Sequence, residues 1–523
     1  MRLIAKFLLY NSFFILFLFN SVWAANTSYY VAATSGNDSN TGLSHAQAWK
    51  TLSKVNSFSF SSGDNVYLLC GETWSSERLT TDWSGTVEDN VVIGAYYMDG
   101  GVETVGVNGD GKPIIDGQTT YPTSNLEALI STSQNVDYIT IQDIEVKNSA
   151  GYGIRAAKHT SYITVQRCKI DTTYRNNILF SGSNYGNALY NECTNGGTIR
   201  LEVHGWPQTL SMHGTTGGTI KYNYVYNQYG EGIGVGDYCT VMYNLVVDTK
   251  SVGIYLNGSN NSEVAYNLVV GTNDTTYTIV TGWHGPGICL ATENNTSTVA
   301  DCENNKIHHN TIINTYAGIR MYESNDAYYN KQVRNNYIYN NTFIDNYGNF
   351  MLSNTSDDID VSTIYVKNNI SYPNSAESSH QIVWGGSTLD NWTCDYNNWA
   401  VDAAPSNAFL GAHDVTGNPN FAKSTWRSKS FTMDDFLTSD FFPKDGSSAI
   451  DSGVDLGSNF SNSLGNGTDF NATNPDPNNG VPILIFKESQ YDNTPWEIGA
   501  TKSTGDPSST LQAPEGLKLA IHQ

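Results

Sequence analysis

The sequence predicts an all-β solenoid, a parallel sheet coiled into stacked rungs, and three observations predict it. A short phrase repeats: TIKYNYVYN (219–227), YCTVMYNLVVD (238–248) and SEVAYNLVVG (262–271) alternate β-branched and aromatic residues up to an asparagine. Asn223, Asn244 and Asn267 therefore recur at a period that marks a repeat architecture. Between these phrases lie GEGIGVGD (230–237) and SVGIYLNG (251–258), in which a glycine precedes an apolar/any/apolar triplet. Each period thus holds two short strands and two turns, which is one rung. The composition agrees, because 47 Gly, 33 Tyr and only 15% charged residues suit tight turns and a β-rich body.

The phrase recurs in both directions. Downstream it places Asn310, Asn341 and Asn369; upstream it offers Asn191, then Cys168 and Asp143 in the same slot. The glycine phrase returns at 151–156, 285–290 and 317–322. When rungs stack at about 4.8 Å, an inward asparagine at a turn meets its own copies and bonds the turn backbone in a ladder. A slot repeated in every rung serves the scaffold, so these asparagines are read as structural.

Residues 1–24 join a cationic start (Arg2, Lys6) to the apolar run FLLYNSFFILFLF and a small-residue exit at Ala24, the pattern of a secretory signal peptide. No later segment approaches the roughly 18–20 apolar residues that span a bilayer. The expectation is an exported chain. A formal net charge of −23 argues against nucleic acid and anionic membranes as partners. Seven cysteines in an exported protein permit disulfides, with Cys289–Cys302 and Cys168–Cys193 as the pairs to expect. No cysteine or histidine spacing calls for zinc, so no metal is assigned.

In chain order, 25–75 reads as a cap on the first rung: a strand at Tyr29–Ala32, a polar loop, a short helix near Trp49–Val55 and a strand at Asn65–Cys70. Residues 76–400 form the stack, with long excursions at 272–286 and 291–305 where a rigid scaffold builds clefts. Residues 401–500 read as a C-terminal wrap and 501–523 as a loose tail. The order YYVAATSGNDSNTG, AWKTLSKV, SGDNVYLLCGETW at one end, with PKDGSSAIDSGVDLG and TPWEIGA at the other, resembles exported proteins of the pectate-lyase-like superfamily. That resemblance implies a single-stranded right-handed parallel β-helix. It specifies the fold far better than the chemistry, since members include lyases, hydrolases and epimerases.

Alternation aims Ile154, Ile233, Val235, Ile254, Leu256, Ile288, Leu290, Ile319 and Met321 inward. The residues between them make an outward column: Arg155, Gly234, Tyr255, Cys289, Arg320. TIRLEVH (198–204), read as another strand, adds Arg200, Glu202 and His204, while Glu231 and Asp237 flank the gap at Gly234. Lys250, Tyr255, Trp283 and His284 are candidates for holding substrate, the aromatic rings by stacking on apolar sugar faces. Each residue also has a purely structural reading: paired surface arginines, a surface ion network at 200–204, a turn-capping Glu231, scaffold histidines at 308 and 309.

Two chemistries fit this face. A polysaccharide lyase needs a cation to neutralise a uronate carboxylate and a base for the α proton; Arg155, Arg200 or Arg320 would supply the first and His204, His284, Tyr255 or Lys250 the second. The resemblance adds calcium as an optional neutraliser, although no calcium-ligand spacing is evident. A glycoside hydrolase needs two carboxylates, available from Glu202, Glu231 and Asp237. The leading expectation is a secreted, monomeric lyase on an acidic glycan, with a hydrolase next and a non-catalytic carbohydrate-binding or surface-structural stack third.

Overall fold

The computed structural model describes residues 26–456 except 201–206, 213, 273–277, 279–282, 294–300, 324–331, 355–362, 374–378, 384–391, 401–408, 422–442 and 444–445, together with 462–464, 488–490 and 498–499. Residues 1–24, where a signal peptide is expected, and 501–523 lie outside them, as do Glu202 and His204. No helix among the described residues is long and apolar enough to cross a membrane.

The chain winds a right-handed coil of three parallel sheets. One rung shows the plan: Thr240–Met242 in sheet I, Leu245–Thr249 in sheet II and Ile254–Asn257 in sheet III. The next rung lays Glu263–Ala265, Leu268–Val270 and Ile288–Thr292 on them in register. Inward columns such as Val241, Val264, Ile307 and Ile338, or Ile233, Ile254, Ile288 and Ile319, merge into one core running the length of the stack. Sheet I already begins at Ser28–Val31, paired with Asn65–Leu69, and the helix Leu52–Asn56 buries Leu52 and Val55.

The asparagine ladder lies in the sharp turn between sheets I and II. Asn191, Asn223, Asn244, Asn267, Asn310, Asn341, Asn369 and Asn397 each donate from Nδ2 to Oδ1 of the next where one follows, at 2.9–3.1 Å. The same Oδ1 accepts the backbone N–H of the preceding rung, as Asn244 does from Asn223 at 3.0 Å. The residue before each ladder asparagine adopts left-handed φ, 57° at Tyr190 and 61° at Tyr243, which bends the chain sharply from one sheet to the next. Cys168 occupies the slot, its N–H reaching Asn191 Oδ1 at 3.0 Å. Asp143 does not: the slot is filled by Ile144, whose carbonyl takes the Lys169 N–H, while Asp143 holds Arg167 in a 2.7 Å ion pair.

The C-terminal phrases have a packing reason. Outward Leu245, Val247, Leu268, Val270, Ile313, Ile344 and Ile370 make an apolar stripe on sheet II that Phe421, Ala449 and Ile498 cover. Gly499 lies so close that a Cβ there would stand 2.6 Å from Ile370 Cδ1, which is why a glycine follows Ile498.

The disulfide expectation fails, as all seven cysteines are free thiols. Cys302 belongs to the inner core while Cys289 faces outward, so the wall of the coil separates them. Cys193 pairs in register with Ile170 rather than with Cys168.

Candidate active site on the outer face of sheet III

The outward column exists and is in register. Arg155 stacks on Leu179, Leu179 on Ser211, Ser211 on Gly234, and Gly234, Tyr255, Cys289 and Arg320 follow on successive strands. It is not one site, however. Arg155 and Arg320 are six rungs apart, roughly 29 Å at about 4.8 Å per rung. Arg155 is spent locally, donating to Leu126 O at 2.9 Å and lying 5.5 Å from the Tyr152 ring centroid.

The ionisable groups gather around Glu231, which opens the strand Glu231–Val235 rather than capping a turn. It is 6% exposed, and burial pushes its carboxyl up to about 8, moderated by a hydrogen bond from Gln208 and reinforced by the charge of Glu293. Gln208 is set by its own neighbours: its Oε1 accepts from Ser211 Oγ at 2.5 Å, leaving the amide N–H groups to donate. Gly234 makes this possible, because a Cβ there would collide with the Gln208 amide. The gap in the column is therefore the berth of Gln208.

Glu293 is the residue that alternation along the strands left unmarked. It directly follows the strand Ile288–Thr292 on the outward parity of Cys289 and Ala291, so alternation carried one position past the strand end would have found it. Its N–H is held by Asn257 Oδ1 at 2.7 Å and its Oε2 accepts the Tyr255 hydroxyl at 2.5 Å. Tyr255 is 4% exposed, and burial, with Cys289 and Glu293 nearby, raises its phenol well above the usual range, so it stays a donor. Cys289 packs beside it as a buried thiol, pushed up by burial against the lowering effect of Arg320. Arg320 lies over the Tyr322 ring, 4.6 Å from its centroid.

The remaining candidates fall elsewhere. Residues 198–200 form a 3-10 helix, and the strand that completes that rung is Gln208–Ser211. Arg200 therefore ends a 3-10 turn rather than standing on a strand of the column, and Glu202 and His204 lie outside the described residues. Asp237 serves the scaffold, its Oδ1 accepting the Asn260 N–H of the next rung at 2.8 Å. His284 fills a buried turn slot between sheets II and III, in line with Thr249 and Thr315. It is 2% exposed, with Nε2 3.1 Å from Asp248 Oδ1 but out of line for a hydrogen bond. Trp283 is buried edge-on to Tyr347, centroids 5.8 Å apart. Lys250 lies with Nζ 4.4 Å from the Tyr229 centroid, along the turn edge of sheet III. His308 and His309 are buried scaffold, joined Nδ1 to Nδ1 at 2.9 Å, with both pKa values lowered chiefly by burial. No group of three metal-ligating side chains occurs among the described residues.

A coil of parallel rungs of this kind is a right-handed parallel β-helix. The family described as right handed beta helix region matches residues 103–269. A lacto-N-biosidase of Bifidobacterium longum subsp. longum is 28% identical over 143 residues, 24% of this chain and 8% of that protein, so the chain spans under a tenth of the length of the curated relative it matches. Among solved structures, a rhamnogalacturonan lyase is similar at 14% identity and TM-score 0.49, over 76% of this chain and 91% of that one. A lacto-N-biosidase from Eubacterium ramulus is similar at 15% identity and TM-score 0.39, over 71% and 67%.

Proposed function

We propose that the protein is an exported glycoside hydrolase, with Glu231 as general acid and Glu293 as the second carboxylate. The observation that carries this reading is the unequal environment of the two groups. Glu231 is buried and keeps its proton up to about pH 8, whereas Glu293 sits at the strand end and accepts a hydrogen bond from Tyr255. A buried carboxylic acid that keeps its proton, with a second carboxyl on the same face, is what acid-assisted glycoside cleavage requires. In that reaction Glu231 gives its proton to the glycosidic oxygen as the bond to the anomeric carbon breaks. Glu293 meets the positive charge growing at that carbon, and water adds its hydroxyl there while its remaining proton returns to Glu231. Tyr255 keeps the Glu293 carboxylate oriented, and Gln208 does the same for Glu231. The 28% identical stretch of a lacto-N-biosidase is consistent with a carbohydrate substrate.

Elimination on a uronate polymer is the second reading, favoured by one observation: Arg320 shares the outward column with Tyr255, two strands away. The test incubates the protein with neutral and acidic polysaccharides and follows reducing ends and the ultraviolet absorbance of unsaturated uronates in parallel. Reducing ends without absorbance, lost in Glu231→Gln and Glu293→Gln, are the expected result. Absorbance rising with a uronate polymer and surviving Glu231→Gln would overturn hydrolysis in favour of elimination, and silence on every polymer would overturn both.

A further inference from the structure

An aromatic row lies along the edge of sheet III at which the chain turns back into sheet I. Tyr138, Tyr162, Tyr185, Gly217 and Tyr238 are stacked in register on successive rungs. The first three rings lie face to face, with centroids 4.7 and 5.2 Å apart and planes within 8° and 12°. Gly217 interrupts the row, and the Tyr185 ring leans onto it, so near that a Cβ there would stand 2.7 Å from the ring. Tyr238 stands beyond the gap, on the rung of Glu231 and on the sheet edge at which Glu293 sits.

Neither backbone nor core asks for tyrosine here. All four take left-handed φ, 57°, 59°, 53° and 54°, a conformation that suits glycine or asparagine, and the same column uses Gly217, Asn261 and Asn304 on other rungs. The rings are not buried either: Tyr162 is 43%, Tyr185 48% and Tyr238 60% exposed. The parallel stack of Tyr222, Tyr243 and Tyr266 at the next turn offers the contrast. Those rings pack into the cluster on sheet II, so packing accounts for them.

We propose that this row is a binding track for an extended, neutral polysaccharide chain, leading along the edge of the coil to Glu231 and Glu293. The proposal rests on the reading of that pair as the active site for the track's destination. The row repeats once per rung, close to the advance of one sugar residue in an extended glycan, and offers phenol hydroxyls for hydrogen bonds and exposed apolar ring surface for van der Waals packing. None of the row's own side chains is cationic, and the chain's formal net charge of −23 disfavours a polyanion.

The test is retardation in native gels cast with barley β-glucan, xylan, galactomannan, polygalacturonate or alginate. Glu231→Gln serves as the background, so that polymer is not consumed. A neutral polymer should retard this protein, and adding Tyr162→Ala, Tyr185→Ala and Tyr238→Ala should weaken the apparent affinity at least tenfold with an unchanged circular dichroism melt. Phenylalanine at the same positions should restore most of it. Equal retardation with and without the rings, retardation by acidic polymers alone, or by none, would overturn the proposal. So would light scattering that shows the substitutions splitting a dimer, which would make the row a contact between copies. Turnover that survives Glu231→Gln would remove the active-site reading while the gels still decide the track.

Discussion

Glu231→Gln isolates what it costs the fold to bury one carboxyl. The folded protein binds this proton up to about pH 8, whereas the unfolded chain releases it near the ordinary 4.5. Between those values the folded state holds more protons, so the stability this group contributes is full below about pH 4.5 and is lost as pH rises through 8. At about 1.36 kcal/mol for each pH unit between the two values, the loss reaches about 4–5 kcal/mol above pH 9 and about 3 kcal/mol at pH 7. Glutamine keeps the shape and the bond from Gln208 without the charge. The variant should therefore lie within about 1 kcal/mol of the parent at pH 5 and exceed it by about 4–5 kcal/mol at pH 9. Urea unfolding followed by circular dichroism at pH 5, 7 and 9 measures the difference, and subtracting the two curves cancels every other titrating group. Activity should move the opposite way, falling about 10²–10⁴-fold in the variant, while the parent shows an alkaline limb near pH 8. Parallel stability curves from pH 5 to 9 would refute the reasoning.

Asn244→Ala should cost about 2–4 kcal/mol in the same unfolding assay, because the buried Asn223 N–H loses its acceptor and the carbonyls of Ile220 and Met242 each lose a donor; a midpoint equal to the parent's would dismiss the ladder as a stabilising element. Arg320→Ala should raise KM at least tenfold with an unchanged melt, whereas Arg155→Ala, about six rungs away, should leave KM alone; the opposite pattern would move the cleft towards the N-terminal rungs. Thiol titration should find seven reactive groups in guanidinium without reductant, and six of the seven shielded in the native state, since only Cys394 is less than fully buried. A count of five or fewer in denaturant would mean that disulfides form.

The scaffold was legible because it is written repeatedly. Each rung restates the same alternation, so an error such as Asp143 for Ile144 shifts one slot and leaves the architecture intact. The outward column was legible for the same reason, since parity along a strand is a local property. The site was less so, because it depends on what alternation does not encode. Residues 198–204 look like a strand by alternation, yet the chain makes a 3-10 turn at 198–200 and enters its strand at Gln208. Nothing local marks that choice. Glu293 was overlooked because it lies where a strand runs into an excursion, and Gln208 because its meaning comes from Gly234, one rung away. His284 stood out as a histidine beside a tryptophan, but the buried slot it fills belongs to the rungs above and below.

The ladder also separates the register of the stack from the length of the chain between its steps. Asn244 and Asn267 are 23 residues apart and Asn267 and Asn310 are 43 apart, yet the two links measure the same 2.9 Å. The extra residues fall between the strands Leu268–Val270 and Ile288–Thr292 and between Ile288–Thr292 and Lys306–His308, and the chain still reaches the slot it would have reached without them. The face that holds Glu293 can therefore be rebuilt by lengthening or shortening excursions while the hydrogen-bonded spine stays as it is. In evolutionary terms, such a molecule changes what it binds by editing the text between fixed punctuation marks.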